Sequence, residues 1–146
     1  MPLKILIVED ESIVAHDLKE IAETSGQDVI GLAASVSDAR SLRSLKPGLA
    51  LVDLNLKDGA TGPHISATLS RDDVTVVLVT ANLQQIPLDF CGAIGAVAKP
   101  FTSQNIEDVI AYVNGLRGES CPVAMPASLI AANSGPIWRH PSCRFG

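Results

Sequence analysis

Five polar residues stand where apolar runs stop: Glu9 and Asp10 follow residues 3–8, Asp53 lies near the end of 49–54, Thr80 follows 74–79, and Lys99 follows 96–98. Three carboxylates gathered in one partly desolvated pocket would repel one another, so the arrangement calls for a cation. An all-oxygen ligand set favours a hard ion, Mg2+ (or Mn2+), which takes one or two carboxylates, keeps water and engages phosphate oxygens. Lys99 adds a point charge able to reach the same oxygens. A carboxylate beside a dication, an ammonium and a hydroxyl is equipped to attack a phosphoryl group, and Asp53 is the candidate nucleophile. Thr80 would then donate its hydroxyl to a phosphoryl oxygen, turning new charge into a small movement of the loop after it.

The chemistry works only if the fold brings these residues to one edge. The runs at 3–8, 29–34, 49–54, 74–79 and 96–98 are rich in Val, Ile, Leu and Ala without polar alternation, which predicts strands covered on both faces, as in a parallel sheet. Between them, Val14, Leu18, Ile21 and Ala22 recur at helical spacing up to Gly26. Ser37 is the expected N-cap of a second helix bearing Ala39, Leu42 and Leu45, ended by Pro47-Gly48. Pro63 suits the first turn of a third helix with Ile65 and Leu69. A fourth, around residues 82–91, is weakened by Pro87 and Gly92. Thr102 or Ser103 caps the last, whose Ile106, Val109, Ile110 and Val113 share a face. The predicted fold is α/β and doubly wound, a (βα)5 chain with a parallel five-stranded sheet for which the flavodoxin-like order 2-1-3-4-5 is one common solution. In such a sheet, sites collect at the carboxyl ends of the strands, where all five polar residues fall.

Length and composition suit one domain. The chain has 146 residues, 47% hydrophobic and 18% charged, and no apolar run of membrane-spanning length. The short run after Lys4 stops at Glu9 and is no signal peptide, so a cytoplasmic location is expected. A net charge of -5 offers no footprint for nucleic acid, and DNA contact by this chain alone is not expected. Cys91, Cys121 and Cys143 lack the spacing of a zinc site or disulfide framework, and His16, His64 and His140 suggest no metal site. After Gly118 the scattered Pro122, Pro126, Pro136 and Pro141 predict a domain over residues 1–118 and a flexible tail over 119–146. Leu129, Ile130, Ile137, Trp138 and Phe145 are the tail residues apolar enough to dock.

Four segments in order, Ile5-Leu6-Ile7-Val8-Glu9-Asp10-Glu11, Leu51-Val52-Asp53-Leu54-Asn55-Leu56, Val79-Thr80-Ala81 and Ala98-Lys99-Pro100-Phe101, make the chain resemble the response-regulator receiver family of bacterial two-component systems over about residues 3–117. The resemblance implies a CheY-like receiver with Asp53 as phosphoacceptor, Asp10 as direct metal ligand, Glu9 acting through water and the Asn55 backbone carbonyl completing the protein's share. It implies that the amide N–H groups of Asn55 and Ala81 face phosphoryl oxygens, that Thr80 and Lys99 bind and report the phosphoryl group, and that the bond before Pro100 is cis. The implied donor is a sensor histidine kinase or phosphotransfer protein, and the implied output is a protein-interaction surface read by a downstream protein, not an enzyme active on external substrates. Oligomeric state stays open between monomer and homodimer. Many receivers carry an aromatic residue three positions before the lysine, where this chain has Ala96. The stretch from Thr80-Ala81-Asn82 to Ile86-Pro87 faintly resembles receivers that partner HWE-type histidine kinases.

Blander readings exist for each residue alone. An isolated Asp at a strand end is often a buried or capping carboxylate, a lone Lys99 a solvated charge, and Thr80 a good strand residue. Asp58-Gly59 predicts a turn after the Asp53 loop, and Gly92 and Gly95 lack the context of a dinucleotide fingerprint. Two rival functions remain at this level. One is an aspartyl-phosphate hydrolase of the haloacid dehalogenase type, which usually needs a second Asp where Asn55 stands. The other is a receiver-shaped interaction module that works without phosphorylation.

Overall fold

The computed structural model describes residues 2–56, 62–118 and 124–132. Strands β1 (Lys4–Val8), β2 (Asp28–Ala33), β3 (Leu49–Val52), β4 (Thr75–Thr80) and β5 (Gly95–Ala98) pair in parallel in the order 2-1-3-4-5, as the alternation of runs predicts. Helices α1 (Ser12–Thr24), α2 (Val36–Leu42), α3 (Gly62–Arg71) and α4 (Ser103–Arg117) cover both faces. One face buries Ile5, Ile7, Leu51, Val77 and Val79 against Leu18, Ile106 and Ile110, and the other buries Leu6, Val8, Val52, Val76 and Leu78 against Ile65 and Leu69. Successive strand residues thus feed opposite cores, which is why the runs are apolar throughout.

Local chemistry fixes most helix starts. At α2 the cap is Ser35 and not Ser37: its hydroxyl accepts from the Asp38 amide at 3.2 Å, and Ser37 lies inside the helix. At α4, Thr102 accepts from the Asn105 amide at 3.1 Å while the Asn105 side chain accepts from the Thr102 amide at 3.0 Å, a reciprocal cap.

Two further features differ from expectation. The fourth helix around residues 82–91 is replaced by two 3-10 turns, Leu83–Gln85 and Phe90–Gly92. Pro87 cannot donate within a helix, and Phe90, Cys91 and Gly92 all take positive φ, which a right-handed helix excludes. The sheet has a sixth strand, β6 (Ile130–Ala131), antiparallel to β5. Within the stretch expected to be a flexible tail, residues 129–132 therefore lie on the domain, with Leu129 and Ala132 buried. Asp58-Gly59, Cys121, Cys143, His140, Ile137, Trp138 and Phe145 lie outside the described residues.

Candidate functional site

The sheet places Glu9, Asp53 and Lys99 one residue beyond β1, β3 and β5, each tied by its amide to a neighbouring strand, while Thr80 is the last residue of β4 and Asp10 follows Glu9. The Glu9 amide donates to the Ala33 carbonyl at 2.8 Å, the Asp53 amide to the Val8 carbonyl at 2.9 Å, and the Lys99 amide to the Thr80 carbonyl at 2.9 Å. Parallel register therefore converts wide separations in sequence into adjacency, with Val8 opposite Val52 and Thr80 opposite Ala98.

Glu9 and Asp53 are buried, Thr80 is fully so, and Asp10 is half-buried. The Lys99 ammonium donates to Glu9 Oε1 at 2.6 Å and to Asp53 Oδ2 at 3.3 Å, with Glu11 Oε1 at 3.8 Å. Burial pushes the Glu9 carboxyl up to about 7 from its ordinary 4.5; hydrogen bonds from Lys99 and the Glu11 amide pull it down, and the Asp53 charge pushes it up. Burial works against the charge on Lys99, but the hydrogen bond to Glu9 and the Asp53 charge outweigh it and hold the ammonium above the ordinary lysine value. The pocket is thus built around concentrated negative charge with one cation partly offsetting it.

Glu9, Asp10 and Asp53 each bring one carboxylate oxygen into a group lying within 4.8 Å of one another. Oxygen donors so gathered fit a hard dication, and Lys99 already spans two of the three. The Asn55 amide donates to Asp53 Oδ1 at 3.2 Å, and the Asn82 amide to the Thr80 hydroxyl at 3.1 Å. Ala81 is exposed between Thr80 and Asn82. The bond between Lys99 and Pro100 is cis. Ala96 is buried in β5 opposite Leu78, with half-buried Leu83, Ile86 and Phe90 packed on the same core.

Gly62, which precedes the Pro63 that marks the start of α3, also supports the site. Its amide donates to the Leu54 carbonyl at 3.2 Å, and a Cβ there would fall 2.6 Å from Leu54 Cα and against the Asp53 carbonyl oxygen. Glycine at this position lets α3 start against the backbone of the Asp53 loop. Gly-Pro at a helix start was the available signal.

The family profile described as response regulator receiver domain matches residues 5–111. The regulator PhyR of Methylorubrum extorquens is 34% identical over 114 residues, covering 75% of this chain and 43% of that protein. The transcriptional regulatory protein PdtaR of Mycobacterium tuberculosis is 30% identical over 112 residues, covering 73% of this chain and 54% of that protein. The chain therefore spans about half the length of these curated relatives. The solution structure of the PhyR receiver domain from Erythrobacter litoralis superposes with a TM-score of 0.70 at 27% identity, covering 84% of this chain and 96% of that one.

Proposed function

We propose, for a chain that belongs to the response regulator receiver domain family, that Asp53 accepts a phosphoryl group from a histidine kinase or phosphotransfer protein and that the modified domain signals through a protein-interaction surface. The observation that carries this is the Lys99 ammonium lying 2.6 Å from Glu9 and 3.3 Å from Asp53, inside the carboxylate cluster that includes Asp10. An oxygen of Asp53 bonds to phosphorus as the donor's bond to phosphorus breaks, giving an acyl phosphate and releasing the donor's leaving group. A Mg2+ or Mn2+ ion at Asp10, Asp53 and the Asn55 carbonyl, with Glu9 through water, would neutralise charge on the phosphoryl oxygens. Lys99 then turns from the carboxylates toward the phosphoryl group, the Asn55 and Ala81 amides donate to its oxygens, and the Thr80 hydroxyl moves in to donate as well. Movement at Thr80 passes to the two 3-10 turns, β5 and α4, the surface expected to change for a downstream protein. By this reading the domain assists its own phosphorylation and dephosphorylation without acting on other substrates.

Incubation with Mg2+ and acetyl phosphate, followed by intact-mass spectrometry, should add one phosphoryl group to the wild-type chain and none to Asp53→Asn. Equal labelling of both would exclude Asp53. A module that works without phosphorylation is the second reading, favoured by the buried Ala96, which leaves no aromatic ring at the position where many receivers have one. Absence of any labelling would select it, and steady turnover of a phosphate monoester would select the hydrolase.

A further inference from the structure

β5 would end the sheet were it not for another part of the same chain. Ile130 and Ala131 pair antiparallel with Ala96 and Gly95, and the Ala132 amide donates to the Ile94 carbonyl at 3.0 Å. Strand alternation sends Leu129 and Ala132 to opposite faces, so the two buried side chains grip the edge from both sides. Leu129 joins the core that contains Val97, Ile106 and Val109, with Met125 packed on it.

β5 is shaped to receive a strand here. A Cβ on Gly95 would stand 2.5 Å from the Ile130 carbonyl oxygen and 2.9 Å from Leu129 Cδ1, so only glycine lets the two backbones approach. Yet the union is narrow. Two residue pairs join β5 and β6, against five between β1 and β2. Ile130 stays 43% exposed although it sits in the ladder. A shallow seat with a glycine floor, filled by a short strand, has the form of an edge that takes extended chains by strand addition.

We propose that the outer edge of β5 is a docking surface for an extended segment of a partner protein, running antiparallel with apolar residues three apart, and that residues 129–132 occupy it as an exchangeable stand-in. The partner's segment supplies the hydrogen bonds that Ala131 and Ala132 now make and fills the Leu129 seat. β5 leads directly into Lys99, so occupancy of this edge and the state of the acidic pocket bear on one strand. The docking edge itself does not depend on phosphorylation.

The test uses a fluorescent peptide with the sequence of residues 124–132 and the full-length chain. Leu129→Asp empties the seat by placing a charge in an apolar site, and Gly95→Val then blocks it. By fluorescence polarisation the peptide should bind Leu129→Asp saturably, about tenfold more tightly than wild type if the wild-type edge is open about a tenth of the time. Adding Gly95→Val to Leu129→Asp should abolish that binding. No binding to Leu129→Asp, equal binding to wild type, or binding that survives Gly95→Val would each overturn the proposal. Amide exchange on the wild-type chain guards against a variant that fails to fold: the Ala132 amide should exchange far faster than the β4 amides. Equal protection at the two places would make β6 a fixed part of the sheet and end the idea.

Discussion

Gly62→Ala probes the link between fold and site most directly. The added methyl would stand 2.6 Å from Leu54 Cα, 2.7 Å from the Leu54 carbonyl oxygen and against the Asp53 carbonyl oxygen. Each of these atoms is backbone, so no side chain can turn aside, and α3 and the Asp53 loop must part by about 1 Å. Overpacking costs about 1–3 kcal/mol, and the rigidity of both sides puts this case near 3. For a domain of this size that lowers Tm by about 10 °C. The same movement displaces Asp53 from the Lys99 ammonium, and a misplacement of about 1 Å in a reacting group slows a reaction about 100-fold. Thermal melts and time courses of acetyl phosphate labelling measure the two effects. Gly26→Ala is the control, because at φ +87° it is strained but has no atom within 4 Å of the new methyl. It should cost about 1 kcal/mol and leave the labelling rate unchanged. If Gly62→Ala melted and labelled like Gly26→Ala, the packing of α3 on the Asp53 loop would not be what positions the nucleophile.

Three further outcomes follow from the site and its supports. Glu9 titrates near 7 in the fold against an ordinary 4.5, so the native state binds a proton that the unfolded chain has released between these values. Its contribution to stability is therefore full below about pH 4.5 and lost as pH rises through about 7. Melts of metal-free protein from pH 5 to 8 should show this decline, Glu9→Gln should flatten it, and parallel profiles would contradict the assignment. Lys99→Met removes the ammonium that competes with a cation for Glu9 and Asp53, so Mg2+ affinity by calorimetry should rise about tenfold while acetyl phosphate labelling slows. Unchanged Mg2+ affinity would mean the ammonium and the ion do not share those oxygens. Thr102→Ala removes one half of the reciprocal cap of α4 and should lower stability by about 1 kcal/mol in urea titration with labelling retained; no change in midpoint would show that the cap is redundant.

The sequence alone determined the succession of the five parallel strands and which polar residues stand at their carboxyl ends. Uninterrupted apolar runs mark doubly covered strands, and a charged residue directly after such a run lies at the carboxyl edge of the sheet whatever the loops do. Glu9, Asp10, Asp53, Thr80 and Lys99 are therefore candidates for one edge from the sequence, and the structure brings Lys99 to within 3.3 Å of Asp53 across 46 positions. Tertiary structure decided the features whose causes are not local. Ser35 and Ser37 are equal as caps by composition, and only the path of the chain leaving β2 selects Ser35. The 3-10 turns replace a helix because positive φ at Phe90 and Cys91 is imposed by packing of that segment on α3, where Ser66 donates to the Cys91 carbonyl at 3.0 Å. β6 has two residues and no periodicity of its own. It exists because β5 offers an edge and Gly95 leaves room on it, two facts that concern residues more than thirty positions earlier in the chain.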